Sequence, residues 1–331
     1  MINDLAESPQ KSPIQTVPGK KKVIVISGPT GTGKTHLSLQ LARLLGGEIV
    51  SADSMQVYKK MDIGTAKIRE EERCGIPHHL IDIRNLSDMF NVVDFYNEAT
   101  DVLDSIHARG NVPIVVGGTG FYIHSLIYGP PQGPPASAEI RKKLEEDMDK
   151  FGPEPLYDKL CTLDPDYARM ITRGDRQKII RAFEIIMQTQ KPVSEFLLRS
   201  QASRSSEYHF RCWFIYQPKE ILYPRIEMRC DEMIAEGLLD EVETLKKEGL
   251  ENNLSAAQSI GYRQALDYFK SPKDQKAWDQ FVSDFKKASR RYAKRQFTWF
   301  RKEPLFRWLD LSALPEEKAL EIILHDFESA L

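Results

Sequence analysis

The segment Gly28–Thr35 (GPTGTGKT) constrains the fold of this chain more than any other segment. It fits the phosphate-loop pattern, in which a Gly-rich turn is followed by Lys and then by Ser or Thr. The β-branched run Val23–Ile26 comes before it and predicts a buried strand, and leucines at helical spacing follow it from Leu37 to Leu45. A strand, this loop and a helix in that order predict a phosphate site at the edge of an α/β sheet.

The residue types of the loop predict how it holds a phosphate. Its glycines let successive backbone amides turn inward around an anion, and the N-terminus of the following helix adds positive potential. Lys34 supplies a point charge for the terminal phosphates, and Thr35 is placed to hold Mg²⁺. The predicted phosphate-binding residues are Gly28, Pro29, Thr30, Gly31, Thr32, Gly33, Lys34 and Thr35.

Strand and helix signals alternate along the first third of the chain. The pair Gly46-Gly47 ends the first helix, and three more segments carry such signals: the strand Glu48–Ser51, the helix Val92–Arg109 and the strand Pro113–Val116. This alternation is typical of a parallel sheet with helices on its faces. We therefore predict an α/β fold with a P-loop NTPase-like parallel sheet flanked by helices.

The composition changes after Tyr128. A Pro- and Gly-rich stretch (GPPQGPPAS) leads to three helical segments. The first begins at Ser137, and Asp164 and Asp175 are predicted to cap the N-termini of the second and third. The next strand signal is Phe210–Tyr216 (FRCWFIY). We predict that this strand rejoins the sheet. The predicted organisation is a disordered tail at 1–19, a core at 20–132 and 207–331 that includes C-terminal helices, and an all-helical inserted domain at 133–206.

Composition limits the class of protein without deciding it. The chain has 331 residues, of which 41% are hydrophobic and 28% charged, as in soluble globular proteins. A net charge of −2 neither indicates nor excludes a polyanionic partner. We expect no membrane span and no signal peptide, because no apolar run approaches about 20 residues and the start of the chain is polar. The four cysteines have no metal-type spacing, which favours reduced thiols and a cytoplasmic protein.

Two further candidate residues follow strands. Ligands of open α/β sheets bind beyond the carboxyl ends of the strands, where Asp53 follows the second strand and Thr119 the third. An aspartate at this place can accept a proton from a nucleophile, although the alternative is a turn cap. No carboxylate follows the strand that ends at Val116, which argues against ordinary nucleotide hydrolysis.

The segment Lys286–Lys302 (KKASRRYAKRQFTWFRK) contains eight basic residues and no acidic one. At about 100° per residue, all eight lie on one half of a helix, and Tyr292, Trp299 and Phe300 lie on the other half, which favours a place in the core. The basic face fits contacts with nucleic-acid phosphates. The alternative is an ordinary solvated face.

Several motifs in order resemble the tRNA dimethylallyltransferases, also called tRNA isopentenyltransferases. The motifs are GPTGTGKT, SADSMQVYKKMDIGTAK (51–67), PHHLIDI (77–83), VGGTGFY (116–122), DRQKIIRAFEI (175–185), SIGYRQ (259–264) and KRQFTWFR (294–301). Gln177-Lys178 departs from the Gln-Arg that is usual in the family, so a guanidinium fork is lost there. The zinc finger of the eukaryotic members is not found in the sequence, so the chain resembles the bacterial form.

The resemblance implies a reaction and its partners. Dimethylallyl diphosphate, bound with Mg²⁺ at the phosphate loop, donates its five-carbon group to N6 of the adenosine on the 3′ side of a tRNA anticodon, and diphosphate leaves. The candidate catalytic residues are then Asp53 as the proton acceptor, Lys34 at the diphosphate and Thr119, which the resemblance marks as a site residue that bonds either the diphosphate or the base. Arg229 is a fourth candidate, because it lies on a predicted helix one turn after Arg225 and could reach the diphosphate; the alternative is a solvated arginine. We expect a monomer that binds the anticodon stem-loop.

The resemblance also implies the residues that contact tRNA. These are Asp53, Ser54, Met55, Gln56, Thr119, Arg141, Gln177, Lys178, Ile179, Ile180, Arg181, Gln258, Ser259, Ile260, Gly261, Tyr262, Arg263, Lys294, Arg295, Gln296, Phe297, Thr298, Trp299, Phe300 and Arg301. Arg173 and Arg176 add to the positive charge of the insertion, which we expect to close over the anticodon loop from its Pro/Gly-rich hinge.

Three other functions stay open at this level. An adenylate prenyltransferase shares the phosphate loop and the aspartate but needs no RNA-binding arm, and the segments KRQFTWFR and QKIIR disfavour it. A small-molecule P-loop kinase would turn over ATP. A non-catalytic RNA-binding protein would leave tRNA unmodified in the presence of the donor.

Overall fold

The computed structural model describes residues 20–196 and 207–329. In these residues one six-stranded parallel sheet has the order β3-β2-β4-β1-β5-β6. The strands are β1 (Lys21–Ser27), β2 (Gly47–Ser51), β3 (His78–His79), β4 (Val112–Gly117), β5 (Tyr208–Tyr216) and β6 (Phe306–Asp310). The predicted parallel α/β sheet is therefore confirmed, whereas the predicted tail at 1–19 lies outside the described residues.

Helices cover both faces of the sheet. They are α1 (Lys34–Leu45), α2 (Val92–Ala108), α3 (Gly120–Tyr128), α4 (Ala138–Phe151), α5 (Glu154–Leu163), α6 (Pro165–Ala168), α7 (Arg176–Thr189), α8 (Lys219–Ala235), α9 (Leu238–Lys247), α10 (Leu254–Ala257), α11 (Tyr262–Phe269), α12 (Gln275–Phe300) and α13 (Glu316–Glu328). None of the described helices is both long enough and apolar enough to cross a membrane.

The central strand β1 explains why the run Val23–Ile26 is entirely apolar. Successive side chains of a strand point to opposite faces. Val23 and Val25 pack in the cluster under α2, α3, α8 and α12, whereas Ile24 and Ile26 pack in the cluster under α1 and α13. Both faces of β1 are buried, so neither face has a place for polar residues.

The predicted return of the chain to the sheet is confirmed. Strand β5 pairs with β1 in parallel, with Val23 opposite Phe210, and β1 pairs with β4 on its other side. The sequence analysis missed β3 and β6. Strand β3 has two residues, and β6 lies at the edge with alternating exposure, so neither forms a long apolar run.

The described part of the insertion packs around its own hydrophobic cluster, which includes Leu160, Ile179 and Phe183. The predicted cap at Asp164 is confirmed, because its Oδ1 accepts a hydrogen bond from the N–H of Tyr167 at 3.1 Å. The predicted side-chain cap at Asp175 is wrong. Its Oδ2 accepts from the N–H of Thr172, which precedes the helix. Helix α5 was not predicted, and residues 197–206 of the insertion lie outside the described residues.

Candidate active site

The loops that follow β1, β2 and β4 meet at the carboxyl edge of the sheet and border a cavity of about 390 Å³. The cavity is lined by Thr30, Lys34, Thr35, Asp53, Ser54, Met55, Gln56, Gly64, Thr65, Ala66, Val116, Gly117, Gly118, Ile226, Arg229, Cys230, Met233, Ser255, Gln258, Ser259, Ile260, Phe285, Ser289, Tyr292, Arg295 and Gln296. Residues from both halves of the chain therefore form one site.

The phosphate loop has the backbone that its glycines predict. Gly31 and Gly33 have φ angles of 82° and 87°, in the left-handed region that favours glycine. A side chain at Gly28 is excluded for another reason, because a Cβ there would lie 2.2 Å from the carbonyl oxygen of Ile215 on β5. Helix α1 begins directly after this loop, at Lys34, so its N-terminus points toward the cavity.

Lys34 folds back over the loop. Its Nζ donates hydrogen bonds to the carbonyl oxygens of Gly28 at 2.9 Å and Pro29 at 2.7 Å. Burial, and then the positive charge of Arg229, lower the pKa of Lys34 to about 7, against the opposing effect of Asp53. The lysine is therefore poised to gain a proton when an anion enters the loop.

Arg229 reaches the phosphate loop from helix α8. Its Nη1 donates to the hydroxyl oxygen of Thr30 at 3.3 Å, and its side chain lines the cavity. Burial lowers the pKa of this guanidinium, although an arginine keeps its charge. The alternative of a solvated helix arginine is wrong, and two cations, Lys34 and Arg229, face one end of the cavity.

The sequence left two roles open for Asp53, a turn cap and a proton acceptor, and the structure is compatible with both. Its Oδ1 accepts hydrogen bonds from the N–H groups of Met55 at 2.8 Å and Gln56 at 3.3 Å, so it does cap a turn. The described residues give its Oδ2 no hydrogen-bond donor, and Asp53 lines the cavity. One oxygen fixes the carboxylate and the other stays available to a bound molecule.

Thr119 contributes in a different way. Its Oγ1 accepts a hydrogen bond from the N–H of Ser54 at 3.2 Å, and it does not line the cavity in this conformation. The hydroxyl joins the loop after β4 to the loop that carries Asp53. The structure thus places Thr119 behind the cavity wall, where it positions Ser54 and its neighbours.

Gln296 of helix α12 connects the phosphate loop to the loop after β4. Its Oε1 accepts from the N–H of Thr30 at 3.2 Å, and its Nε2 donates to the carbonyl oxygen of Gly118 at 3.0 Å. The helix lies so close that a Cβ on Gly118 would lie 2.1 Å from Nε2, and one on Gly120 would lie 2.4 Å from the indole of Trp299. The approach of α12 thus leaves little room for a side chain at Gly118 or Gly120, whereas Gly117 is restricted by the backbone of Ala52.

Glu241 is a functional residue that the sequence analysis missed. Its carboxylate accepts hydrogen bonds from the N–H groups of Asp62 (3.0 Å), Ile63 (2.7 Å) and Gly64 (3.1 Å), and from the hydroxyl of Tyr262 (2.5 Å). These residues belong to the loop whose Gly64, Thr65 and Ala66 line the cavity. No signal in the sequence marks Glu241, because its partners in the loop lie at least 177 positions away.

Apolar side chains also line the cavity. They belong to Met55, Ile226, Met233, Ile260 and Phe285. Phe285 is buried and belongs to the main hydrophobic cluster, and Met55, Met233 and Ile260 pack against that cluster. A ligand with a phosphate group and a short hydrocarbon fits this combination of cationic and apolar side chains.

Apart from Thr119, described above, and the half-buried Phe297, the residues predicted to contact tRNA fall into three groups. The first group, Asp53 to Gln56, Gln258 to Ile260, Arg295 and Gln296, lines the cavity. In the second group Gln177, Lys178, Arg263, Lys294, Thr298, Trp299 and Arg301 are exposed outside it, while Arg141 and Arg181 each form an ion pair with the fully buried Glu184. The third group is buried: the side chains of Ile179, Ile180, Tyr262 and Phe300, and Gly261. The buried residues pack beneath exposed neighbours, and contact with RNA stays a prediction for the whole set.

Helix α12 has the predicted basic face. Lys286 and Arg290 pair with Asp231 and Glu227 of α8. The exposed cations are Lys287, Arg291, Lys294, Arg295, Arg301 and Lys302. Phe300 is in the core as predicted, but the same prediction for Trp299 is wrong, because 40% of this residue is exposed.

The fold and the cavity define a P-loop α/β protein whose phosphate loop borders a cavity that is also lined by apolar side chains and a carboxylate. Residues 56–303 match the IPP transferase family. The tRNA dimethylallyltransferase of Protochlamydia amoebophila (strain UWE25) is 52% identical over 328 residues, which cover 99% of this chain and 95% of that protein. That of Chlamydia felis (strain Fe/C-56) is 45% identical over 98% of this chain and 94% of its own.

Solved structures agree with these relatives. The crystal structure of the full-length tRNA isopentenylpyrophosphate transferase from Bacillus halodurans has a TM-score of 0.68 at 38% identity, and the match covers 93% of this chain and 97% of that one. A eukaryotic dimethylallyltransferase acting on tRNA has a TM-score of 0.76 at 30% identity, with 93% and 79% covered. This chain belongs to the IPP transferase family, the family of the tRNA dimethylallyltransferases.

Proposed function

We propose that this enzyme transfers the dimethylallyl group of dimethylallyl diphosphate to N6 of the adenosine on the 3′ side of a tRNA anticodon and releases diphosphate. The observation that carries the proposal is one cavity that combines two basic side chains, Lys34 and Arg229, with apolar side chains and a carboxylate, Asp53. Its relatives of known structure include a dimethylallyltransferase acting on tRNA.

The two basic side chains support departure of the diphosphate. The allylic carbon ionises readily because its positive charge is delocalised, so the main demand is to stabilise the negative charge that develops on the leaving group. Preorganised donors meet that demand, and here they are the loop amides, Lys34 and Arg229. The hydrogen bond from Arg229 to Thr30 holds the guanidinium at the loop before a ligand binds.

The donor set at Thr35 fits Mg²⁺. Its hydroxyl lies at the start of α1 beside the cavity, and the described residues contain no group of three or more His, Cys, Asp or Glu side chains that would hold a metal alone. Mg²⁺ is commonly bound by one or two protein oxygens together with substrate phosphates and water. We propose that Thr35 supplies such an oxygen and that the ion neutralises charge on the diphosphate.

Asp53 is suited to accept the proton of the adenosine amine. The lone pair of this amine is delocalised into the ring, so removal of its proton assists attack. The turn that Asp53 caps fixes Oδ1, which leaves Oδ2 for the nucleophile. The target base must leave the stack of the anticodon loop to reach this oxygen.

The exposed cations of α12 support binding of the anticodon stem-loop, since contacts with phosphates supply much of the affinity of RNA-binding proteins. A monomer that acts in the cytoplasm, where unmodified tRNA would be its substrate, stays our prediction.

The acceptor of the prenyl group, tRNA or AMP, distinguishes this proposal from the nearest alternative, an adenylate prenyltransferase. We would incubate the protein with Mg²⁺ and dimethylallyl diphosphate in parallel tubes that contain unmodified tRNA or AMP, and a third tube would contain ATP in place of the donor. The RNA and the nucleotides would then be digested to nucleosides, which would be separated and identified by their masses in mass spectrometry. We expect prenylated adenosine from tRNA alone. Product from AMP alone would instead indicate a free-nucleotide prenyltransferase, and ATP consumption without prenyl transfer would indicate a kinase.

A further inference from the structure

Two aromatic side chains are exposed side by side next to the cavity. Phe121 in the first turn of α3 is 44% exposed, and Trp299 near the end of α12 is 40% exposed. Their ring centroids lie 6.2 Å apart at an interplanar angle of 67°. The two rings contact each other edge to face and together form one exposed aromatic surface, here called the aromatic notch.

The surrounding residues hold the notch in place. The indole of Trp299 lies directly on the backbone of Gly120, where a Cβ would be 2.4 Å from the ring. His124, one turn further along α3, contacts the same indole edge-on, with 6.3 Å between the ring centroids. The Nδ1 of His124 lies 2.9 Å from a carboxylate oxygen of the buried Glu303. The Trp299 ring is thus fixed on two sides while part of it faces solvent.

The notch continues the wall of the cavity outward. Arg295 lines the cavity and lies one helical turn before Trp299 on α12, so the two side chains are neighbours on one face. On the other wall, Gly118 lines the cavity and Phe121 follows it after three residues. A chain that inserts one nucleotide into the cavity would bring its neighbour to the notch.

The positive charge around the notch indicates which class of partner binds there. Lys294, Arg301 and Lys302 are exposed on and just after the same end of α12. Exposed aromatic faces beside cations are typical of sites where unpaired bases stack. The flat face of any base can stack on an aromatic ring, while the phosphate of the same nucleotide contacts a cation. An apolar peptide would not need these cations, and the neighbouring cavity favours a nucleic acid over a membrane surface.

We propose that the aromatic notch stacks an unpaired base of the anticodon loop, a neighbour of the target adenosine, against the exposed surface of the Phe121 and Trp299 rings. The inference rests on the proposed function and adds Phe121 to the RNA-binding surface. The stacked neighbour holds the loop in the splayed form that delivers the target base to Asp53. Stacking tolerates any base, so the notch contributes affinity more than sequence choice.

The test uses the full-length enzyme and a synthetic anticodon stem-loop. The variants are Phe121→Ala, Phe121→Tyr, which keeps the ring, and Leu44→Ala, a control at a residue on α1 that is 62% exposed. Dissociation constants for the stem-loop would be measured by fluorescence anisotropy. The same measurements would use stem-loops in which each loop nucleotide in turn lacks its base.

We expect Phe121→Ala to weaken binding of the intact stem-loop by about tenfold, the lower part of the range for a stacked base. Phe121→Tyr and Leu44→Ala should bind like the unchanged enzyme. The tenfold difference should disappear on the one stem-loop that lacks the stacked base. Equal binding by Phe121→Ala and unchanged enzyme, or the same loss on every abasic stem-loop, would overturn the proposal.

Two readouts separate failure of the notch from other failures. An unchanged KM for dimethylallyl diphosphate in Phe121→Ala shows that the variant is folded at the cavity. Absence of prenylated product from unchanged enzyme would refute the proposed function, whereas binding differences among the variants concern the notch alone.

Discussion

Gln296 of helix α12 accepts a hydrogen bond at 3.2 Å from the backbone N–H of Thr30 in the phosphate loop, 266 positions earlier in the chain. The same helix carries exposed cations on its outer face. One buried amide therefore joins the surface that we expect to bind RNA to the loop that we expect to bind the donor, and this contact defines the relative position of the two substrates.

Replacement of Gln296 by Ala should damage the donor site. The N–H of Thr30 and the carbonyl of Gly118 would lose their partner, at a cost of about 1–3 kcal/mol in unfolding free energy if both remain unsatisfied. We expect a higher KM for dimethylallyl diphosphate and a lower midpoint of urea unfolding. The control is Gln280→Ala, at an exposed residue of the same helix. Equal KM values for the two variants would contradict this account.

Asp53→Asn should remove the proton acceptor without disturbing the loop. The asparagine Oδ1 can still accept from the N–H groups of Met55 and Gln56, so the turn is preserved. We expect kcat to fall by about 10²–10⁴, the usual contribution of a general base. Single-turnover assays would measure this loss, and anisotropy would show unchanged tRNA binding. A variant with near-normal turnover would remove Asp53 from its proposed role.

Binding of diphosphate should depend on pH through Lys34. Its pKa of about 7 in the free enzyme means that at pH 8 about nine-tenths of the molecules have a neutral lysine. A bound anion raises this pKa, so binding takes up a proton, and affinity falls as the pH rises above 7. Calorimetry of pyrophosphate binding at pH 8, in buffers of different ionisation enthalpy, measures the uptake.

The control for that experiment is Lys34→Met, because pyrophosphate itself also gains protons near this pH. We expect the unchanged enzyme to take up close to one proton more than the variant. Equal uptake by both proteins would show that Lys34 is already charged before the ligand binds.

Glu241→Ala should loosen the loop that forms one wall of the cavity. Three backbone N–H groups and the hydroxyl of Tyr262 lose their acceptor, and we expect a loss of about 1–3 kcal/mol in unfolding free energy together with a lower kcat. Tyr262→Phe removes one of the four donors and should have a smaller effect. Thermal unfolding and steady-state kinetics would be compared with Glu243→Ala, at an exposed residue of α9.

Salt dependence of tRNA binding should identify the phosphate contacts. Lys294→Gln and Arg301→Gln should each reduce the slope of log Kd against log salt concentration by about one, as expected when one phosphate contact is lost. Lys219→Gln, at a residue with a side chain that is 72% exposed on α8, is the control and should leave the slope unchanged. If all variants gave the same slope, Lys294 and Arg301 would not contact RNA phosphates.

The sequence was sufficient for the parts of this protein that depend on local pattern. The phosphate loop, the buried strand β1 and the N-cap at Asp164 each depend on residues within a few positions of one another. The positions of Asp53 and Arg229 at the cavity were also predicted, the first from the rule for strand ends and the second from its place on a predicted helix.

The remaining features depend on contacts between distant segments. The clamp of Glu241 on the loop at Asp62, the buried amide of Gln296 and the exposure of Trp299 each follow from how helices pack on the sheet. Helical periodicity placed Trp299 on the apolar side of α12, but the close approach of Gly120 leaves its ring at the surface. The residue pattern of α12 alone cannot show that α3 begins beside Trp299 and covers only part of its ring.

The most direct test of the central claim locates the product within tRNA. Unmodified tRNA that has an adenosine 3′ of its anticodon would be incubated with the enzyme, Mg²⁺ and dimethylallyl diphosphate, cut with a nuclease, and mapped by mass spectrometry. The account predicts one dimethylallyl group on that adenosine and none after incubation with Asp53→Asn. A modification at another nucleotide, or no mass change with the unchanged enzyme, would contradict it.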